Sequence, residues 1–124
     1  MTKDLMIEQL RRLAAEPVLD FQPFADELRD LHTEMSKLFV WRDDCVWSFD
    51  VDTTRSNAVL RLGSYSASVC AVDGGRSVSW QSMHRAGAGS THCRSVEDLR
   101  TCIGFMLEAS TFGEIVQSYR KDDK

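Results

Sequence analysis

The chain has 124 residues, a formal net charge of −4, 43% hydrophobic residues and 27% charged residues. This balance is ordinary for a soluble globular protein, and the length is sufficient to bury a core. No segment approaches the roughly 18 consecutive apolar residues that a membrane span needs, and the amphipathic N-terminal stretch lacks the pattern of a secretory signal. We therefore expect a single domain over residues 1–124, in the cytoplasm and without membrane contact.

Two amphipathic helices are predicted ahead of the first strand. The first covers Lys3–Ala15, and its apolar side holds Met6, Leu10 and Leu13. The second begins at Pro23, because proline suits the first turn of a helix, where its missing N–H costs nothing. Its apolar stripe is the most regular in the chain and consists of Phe24, Leu28, Leu31, Met35 and Leu38. Spacings of four and three residues are typical of the core-facing side of a helix.

Residues 45–85 are predicted to form an antiparallel meander that is covered on one face. Apolar and polar residues alternate in residues 47–52, 65–71 and 77–81. Period two places the apolar residues, Trp80 among them, on the covered face. Turns at residues 53–57, at Gly63-Ser64 and at Asp73-Gly74-Gly75 give four strands. A competing interpretation treats residues 58–72 as one long strand and gives three.

Two further helical segments are predicted after the sheet. Residues 86–91 form a Gly-rich loop, and Ser95 begins a helix because Ser95-Val96-Glu97-Asp98 has the form of a capping box. Helical spacing continues after a weak point at Gly113. The apolar stripes are Val96, Leu99, Ile103 and Met106, then Phe112, Ile115, Val116 and Tyr119. The predicted fold is α+β in the order α-α-β-β-β-β-α-α, with helices from both chain ends on one face of a three- to four-stranded sheet.

The cysteines and histidines do not have the spacing of a metal site. The four cysteines contain no CxxC pair and are Cys45, Cys70, Cys93 and Cys102. His84, His92, Cys93 and Cys102 do not match the ligand spacing, usually about two to five residues, of tetrahedral zinc sites. We therefore expect thiols that behave as small buried hydrophobic side chains, and a protein without a metal or a cofactor.

Charge is distributed unevenly along the chain. Residues 1–52 carry a net −6 and residues 95–124 a net −2, whereas residues 53–94 carry a net +4 in which every basic residue is arginine. One interpretation is internal, with helix carboxylates beside sheet guanidinium groups. The alternative is a nucleic-acid-binding face, because arginines interleaved with Tyr65 and Trp80 would supply both charge and stacking. The arginines of that alternative are Arg61, Arg76, Arg85 and Arg94.

A second alternative rests on Gly87-Ala88-Gly89, between the last predicted strand and the following helix. Backbone N–H groups of such a loop can hold a phosphate. Two helices, a meander, a GxG loop and a helix also resemble the front half of a GNAT-type acetyltransferase, which implies an acyl-carrier site. That family has arginine or glutamine three residues before the first glycine, where this chain has His84. On this alternative the protein is a small enzyme acting on an acyl or phosphate ligand.

The preferred prediction is a non-catalytic module that binds another protein, of the adaptor, chaperone, immunity-protein or phage-inhibitor type. It rests on size class and on the lack of a catalytic constellation, and the partner is not identified. Four apolar helical stripes exceed the two that a four-stranded sheet needs for cover. The first and last stripes are therefore predicted to meet a second copy, as a homodimer, or a partner protein. The predicted contact residues are Leu10, Leu13, Ile115 and Tyr119.

Overall fold

A computed structural model of the protein describes residues 2–15, 17–84 and 87–121. Two helices precede the sheet, α1 (Lys3–Ala15) and α2 (Gln22–Leu38). The strands are β1 (Trp47–Asp52), β2 (Asn57–Leu62), β3 (Tyr65–Val72), β4 (Ser77–His84) and β5 (Gly87–Cys93). Two helices follow the sheet, α3 (Val96–Glu108) and α4 (Ser110–Tyr119). The α+β prediction is confirmed, with helices before and after one antiparallel sheet.

The strands pair in the order β1-β2-β3-β4-β5, so that each strand lies beside its neighbours in sequence. The predicted hairpin turn at Gly63-Ser64 joins β2 to β3. Gly63 has a φ of 58°, a left-handed value that glycine adopts without strain. Asp73–Gly75 forms a short 3-10 turn between β3 and β4. Residues 58–72 are thus a hairpin, and the interpretation as one long strand is wrong.

The fifth strand corrects the sequence prediction, which gives three to four strands and a Gly-rich loop over residues 86–91. β5 pairs with β4, with Cys93 opposite Val78 and Gly89 opposite Ser82. Glycine, alanine and serine are poor strand formers, so local propensity favours a loop here. The unpaired backbone N–H and C=O groups on the edge of β4 hydrogen-bond to this segment, and that pairing outweighs its low strand propensity. The element order is therefore α-α-β-β-β-β-β-α-α.

The two faces of the sheet differ as the alternation predicts. On the covered face Phe49, Leu60 and Ala67 stand opposite one another across β1, β2 and β3. Trp80 of β4, predicted on this face, is only 5% exposed. The opposite face is mainly polar and includes Ser48, Asp50, Arg61, Ser66, Ser68 and Gln81. The sheet is therefore apolar on the side where the helices pack and largely polar on the other.

Three helices pack on the apolar face. α2 contacts β1, β2 and β3, while α3 contacts β4, β5, α2 and α4. α4 joins the core through Phe112, whose ring packs in a T-shaped arrangement on the Tyr65 ring with the centroids 5.4 Å apart. The break between α3 and α4 falls at Ala109, and Gly113 lies inside α4. The chain therefore breaks about one helical turn earlier than predicted.

The end of α4 is tied to the segment between α2 and β1. Arg42 donates its N–H to the Tyr119 carbonyl at 2.9 Å, and Lys121 donates its N–H to the Val40 carbonyl at 2.7 Å. Residues 40–42 and 119–121 thus form a short two-stranded contact, with a β-bridge between Trp41 and Arg120. This contact fixes the C-terminal end of α4 against an earlier part of the chain.

Candidate functional site

α1 has an apolar side that the described chain leaves about half exposed. None of its residues is buried. Met6, Leu10 and Leu13, which we call the α1 stripe, are 48%, 58% and 51% exposed. The helix is locally well formed, because Thr2 Oγ1 accepts the N–H of Leu5 at 3.3 Å in its first turn. A formed helix with an uncovered apolar stripe is typical of a segment that packs against another chain.

The structure does not bring the four predicted contact residues together. Leu10 and Leu13 are exposed on α1, as that prediction requires. Ile115 is 4% exposed and belongs to the core of the chain itself. Tyr119 is half-buried, and its hydroxyl lies 3.2 Å from both the N–H and the Oγ of Ser64. Only the α1 half of the predicted contact is therefore accessible as a surface.

α4 is covered by α3 and by the end of the sheet where the β2–β3 turn lies. It contacts α3 directly. Phe112 of α4 packs on Tyr65 of β3, and the Tyr119 hydroxyl hydrogen-bonds to Ser64 in the turn. The prediction counts only the width of the sheet and so assigns α4 no place on it. These contacts at the end of the sheet provide the place.

A cleft of about 310 Å³, which we call the basic cleft, lies at one end of β4 and β5; its charged residues are Arg76, Arg94 and Asp73, and Leu13 of α1 borders it. The pairing of Val78 with Cys93 places Arg76 and Arg94, which flank these two residues, at the same end of the sheet. Arg76 Nη1 donates to the Asp73 carbonyl at 3.3 Å. Arg76 Nε is buried and has no hydrogen-bond partner in the part of the chain that the structure describes. Two guanidinium groups that face one cleft can bind an anionic group such as a phosphate.

The other two arginines of the predicted basic face lie elsewhere. Arg61 stands on the polar face of β2 with its Nη1 3.8 Å from Asp50 Oδ2. That ion pair joins neighbouring strands, so its carboxylate comes from the sheet and not from a helix as the internal interpretation predicts. Arg85 lies outside the described residues. Tyr65 and Trp80, the predicted stacking platform, are 6% and 5% exposed, so their rings are part of the core and do not form a surface platform.

The Gly87-Ala88-Gly89 segment is part of a strand, which corrects its prediction as a loop. Gly87, Ala88 and Gly89 stand opposite His84, Met83 and Ser82 in the β4–β5 ladder. Backbone groups of a strand point alternately to its two edges, so they do not converge on one phosphate as those of a loop before a helix do. The strand conformation therefore removes the geometric basis of the predicted acyl- or phosphate-binding loop.

A polar cleft of about 350 Å³ lies between the β2–β3 turn, the end of β4 and α4. Its polar side chains are Ser64, His84, Thr111, Glu114, Ser118 and Tyr119. His84 Nδ1 is buried and has no hydrogen-bond partner among the described residues. The Ser64 and Tyr119 hydroxyls lie 3.2 Å apart and hydrogen-bond to each other. The sequence gives no signal for this cleft, because its residues are scattered over three distant elements.

Of the side chains considered for a metal site, Cys93 and Cys102 lie close together, with their Sγ atoms 3.9 Å apart, and the strand geometry separates His84 and His92 from them. Cys93 points to the covered face, and its neighbour His92 therefore points to the polar face, where it is exposed. His84 lies at the opposite end of β4 from the partner of Cys93. Over residues 2–15, 17–84 and 87–121, no three His, Cys, Asp or Glu side chains are grouped so that they could hold a metal ion.

Comparisons with protein-family models, with curated proteins and with solved structures gave no match for this chain. Within the described residues, no helix has the length and apolar character needed to cross a membrane.

Proposed function

We propose that the protein is a non-catalytic module that binds another protein, with the α1 stripe as its contact surface. The observation that carries this proposal is that α1, a helix of 13 residues, has no buried residue. Scattered exposed apolar side chains are normal on any protein, but α1 presents Met6, Leu10 and Leu13 along a single side of one helix.

The energetics of a short helix favour this proposal. Isolated helices shorter than about 12–15 residues are marginal in water, and most helical stability in proteins comes from packing of an apolar side. α1 obtains little of that packing from its own chain. A partner with an apolar groove would bury the α1 stripe and stabilise the helix in the same step, which is the usual mode of helix-in-groove recognition.

The polar side of α1 indicates the character of the groove. The helix carries both signs of charge with a small positive excess. Its basic residues are Lys3, Arg11 and Arg12, and its acidic residues are Asp4 and Glu8. We therefore propose a partner groove that is apolar at its floor and mixed to mildly acidic at its rim. A second copy of this chain and an unrelated protein are the two sources of such a groove, and the experiment separates them.

Light scattering over a concentration series tests the homodimer first. The test variant is Leu10→Glu with Leu13→Glu, which places charges in the α1 stripe. The matched control is Leu38→Glu with Phe105→Glu, because both of these side chains are 71% exposed on other helices. A mass that doubles with concentration in the wild type and the control, but not in the test variant, assigns the contact to a second copy.

If the wild-type mass stays that of one chain, a photo-reactive residue in place of Leu10 identifies the partner in an extract of the host. We expect a discrete cross-linked protein that is lost when Leu13→Glu is added and kept when the control substitutions are added. Equal cross-linking in all three chains would refute α1 as the contact surface.

A second candidate function, nucleic-acid binding, rests on the basic cleft formed by Arg76 and Arg94. Contacts to phosphates release counterions, so affinity for RNA or DNA would fall steeply with salt. Arg76→Ala is expected to flatten that salt dependence, and Arg61→Ala, on the polar sheet face beside Asp50, is expected to leave it unchanged. The absence of binding beyond weak non-specific association at physiological salt would remove this candidate.

A further inference from the structure

Two thiols that the sequence separates by nine positions meet between the last strand and the following helix. Cys93 is the final residue of β5, faces the covered side of the sheet and is fully buried. Cys102 lies in α3 and is partly exposed. Their Sγ atoms are 3.9 Å apart. We propose that Cys93 and Cys102 are a redox site at which the chain forms a reversible intrachain disulfide that fastens β5 to α3.

The turn between β5 and α3 holds the two thiols in place. Ser95, the predicted N-cap of α3, accepts the N–H of Asp98 on its Oγ at 3.1 Å, which confirms that prediction. The Asp98 carboxylate in turn accepts the N–H of Arg94 at 3.0 Å. These reciprocal bonds direct α3 back along β5, so the thiols approach each other from two regular elements. A disulfide needs the sulfur atoms about 2 Å closer than they are, a shift within the reach of side-chain rotation.

The other two cysteines lack this arrangement and serve as internal controls. Cys45 Sγ donates to the Val46 carbonyl at 3.4 Å, and Cys70 Sγ donates to the Ala71 carbonyl at 3.5 Å. Cys45 lies before β1, at the opposite side of the sheet from β5 and Cys93. Cys70 lies on the polar face of β3, whereas Cys93 lies on the covered face. The proposal is therefore specific to one pair out of four thiols.

The chemistry is a thiol–disulfide exchange with a low-molecular-weight disulfide such as oxidised glutathione. The Cys102 thiolate attacks one sulfur of the glutathione disulfide, and the first glutathione leaves as a thiolate. The Cys93 thiolate then attacks Cys102 Sγ in the mixed disulfide and displaces the second glutathione. Two protein thiols become one disulfide, their two protons pass to the released thiolates or to water, and the two electrons reduce glutathione disulfide to two glutathione molecules.

The different environments of the two thiols set the order of these steps. Cys102 is partly exposed and is the thiol that a small disulfide can reach. Burial, followed by the neighbouring Cys102, raises the pKa of Cys93 to about 12. Cys93 is therefore a slow second nucleophile, and the mixed disulfide at Cys102 is expected to appear before the intrachain bond.

The disulfide would stabilise the edge of the sheet that β5 forms. β5 is the last strand in the sheet order and pairs with β4 alone. A cross-link from its final residue to α3 restricts the separation of β5 from β4. It also lowers the conformational entropy of the unfolded chain. Oxidation is therefore expected to raise the melting temperature and to slow hydrogen exchange in β5.

The test uses the full chain, which is equilibrated either with oxidised glutathione or with excess dithiothreitol. The free thiols are then alkylated, and the mass of the intact protein is measured by mass spectrometry. We expect the oxidised chain to lose two hydrogens and to keep two alkylatable thiols. Trypsin cuts after Arg94 and Arg100, which separates the two cysteines, so only a disulfide keeps residues 86–94 and 101–120 joined. Cys45→Ser with Cys70→Ser is the matched control and should give the same joined peptides.

Cys102→Ser and Cys93→Ala should each abolish the joined peptides, and Cys102→Ser should also abolish the rise in melting temperature. Stable glutathione adducts on Cys102 without joined peptides, in both the wild type and the control, would overturn the proposal. Joined peptides that involve Cys45 or Cys70 in place of this pair would overturn it as well.

Discussion

The two outermost helices, α1 and α4, are alike in sequence character and differ in burial. Both are short and amphipathic, and the sequence predicts an uncovered apolar stripe for each. α4 buries Phe112, Ile115 and Val116 in the core, whereas α1 buries no residue. An apolar stripe therefore shows that a helix needs cover, and the connection of the helix to the sheet decides whether its own chain provides it.

The connections of the two helices are different. α4 follows α3 after the single residue Ala109, so the packing of α3 on β4 and β5 brings α4 to the same face. The segment after α1 runs past the β3–β4 turn, where Leu19 donates its N–H to the Gly75 carbonyl at 2.7 Å. That contact, together with Leu13 at the basic cleft, holds α1 near this turn rather than over the apolar face.

Ile115→Ala should give the largest effect and tests the α4 half of the comparison. Ile115 is 4% exposed, so its truncation is expected to lower the free energy of unfolding by about 2–5 kcal/mol through lost burial and a cavity. Urea denaturation measures the change. A loss below about 0.5 kcal/mol, the usual range for surface sites, would mean that α4 is as loosely held as α1.

Gly63→Ala tests how α4 is anchored at its C-terminal end. Gly63 has a positive φ, and a Cβ there would collide with the Tyr119 ring. We expect a loss of about 1–3 kcal/mol, from backbone strain and from displacement of that ring. The matched control is Gly113→Ala inside α4, where a Cβ meets nothing within 4 Å. Because alanine is the better helix former, the control should be stabilised by about 0.5–1 kcal/mol, and equal effects of the two substitutions would disprove the anchor.

Acidification should lower the stability of the fold by a smaller amount, through His32 of α2 rather than through α1. The His32 ring of α2 stacks on Trp47 with the centroids 4.4 Å apart, and burial lowers its pKa below the ordinary value of 6.5. Below that value the unfolded chain binds a proton that the folded chain does not, so stability falls as pH falls from about 6.5 towards the lowered pKa. Melting temperatures should fall in that window, and they should fall less in His32→Gln than in the wild type. An unchanged slope in His32→Gln would assign the effect to other groups.

Leu10→Ala should give the smallest effect and tests the α1 half. Leu10 is 58% exposed, so the free energy of unfolding of the purified chain is expected to change by no more than about 0.5 kcal/mol. The same urea experiment at low protein concentration measures it. A loss approaching that of Ile115→Ala would show that α1 is packed, and would place the binding surface elsewhere.

Local chemistry explains which parts of the fold the sequence predicts. The Ser95 cap and the Gly63-Ser64 turn depend on a few adjacent residues, and both are found where they are predicted. β5 depends on an edge supplied by β4, and its small residues carry no strand signal of their own. The place of α4 depends on long-range contacts such as that of Tyr119 with Ser64, 55 positions earlier, so the sequence predicts the wrong surroundings for Ile115.

The candidate sites follow the same rule. The sequence alone gives the apolar stripe with Leu10 and Leu13, because the stripe depends only on helical spacing; the contact of these residues with a partner stays a prediction. Arg76 and Arg94 are named by the sequence, but only the pairing of β4 with β5 shows that they face one cleft. The Cys93–Cys102 contact has no sequence signature, because it arises where a strand end meets the first turns of the next helix.

The contact between Tyr119 and the β2–β3 turn also affects how the chain folds during its synthesis. The hydrogen bond between Ser64 and Tyr119 joins residues 55 positions apart. At a synthesis rate of about 5–20 residues per second, the β2–β3 hairpin leaves the ribosome some 3–11 s before Tyr119, the residue that closes over it. During that interval Tyr65 and its neighbours on the apolar face have no α4 above them. The newly made chain is therefore expected to be most prone to aggregation just before α4 emerges, and a stalled ribosome would prolong that state.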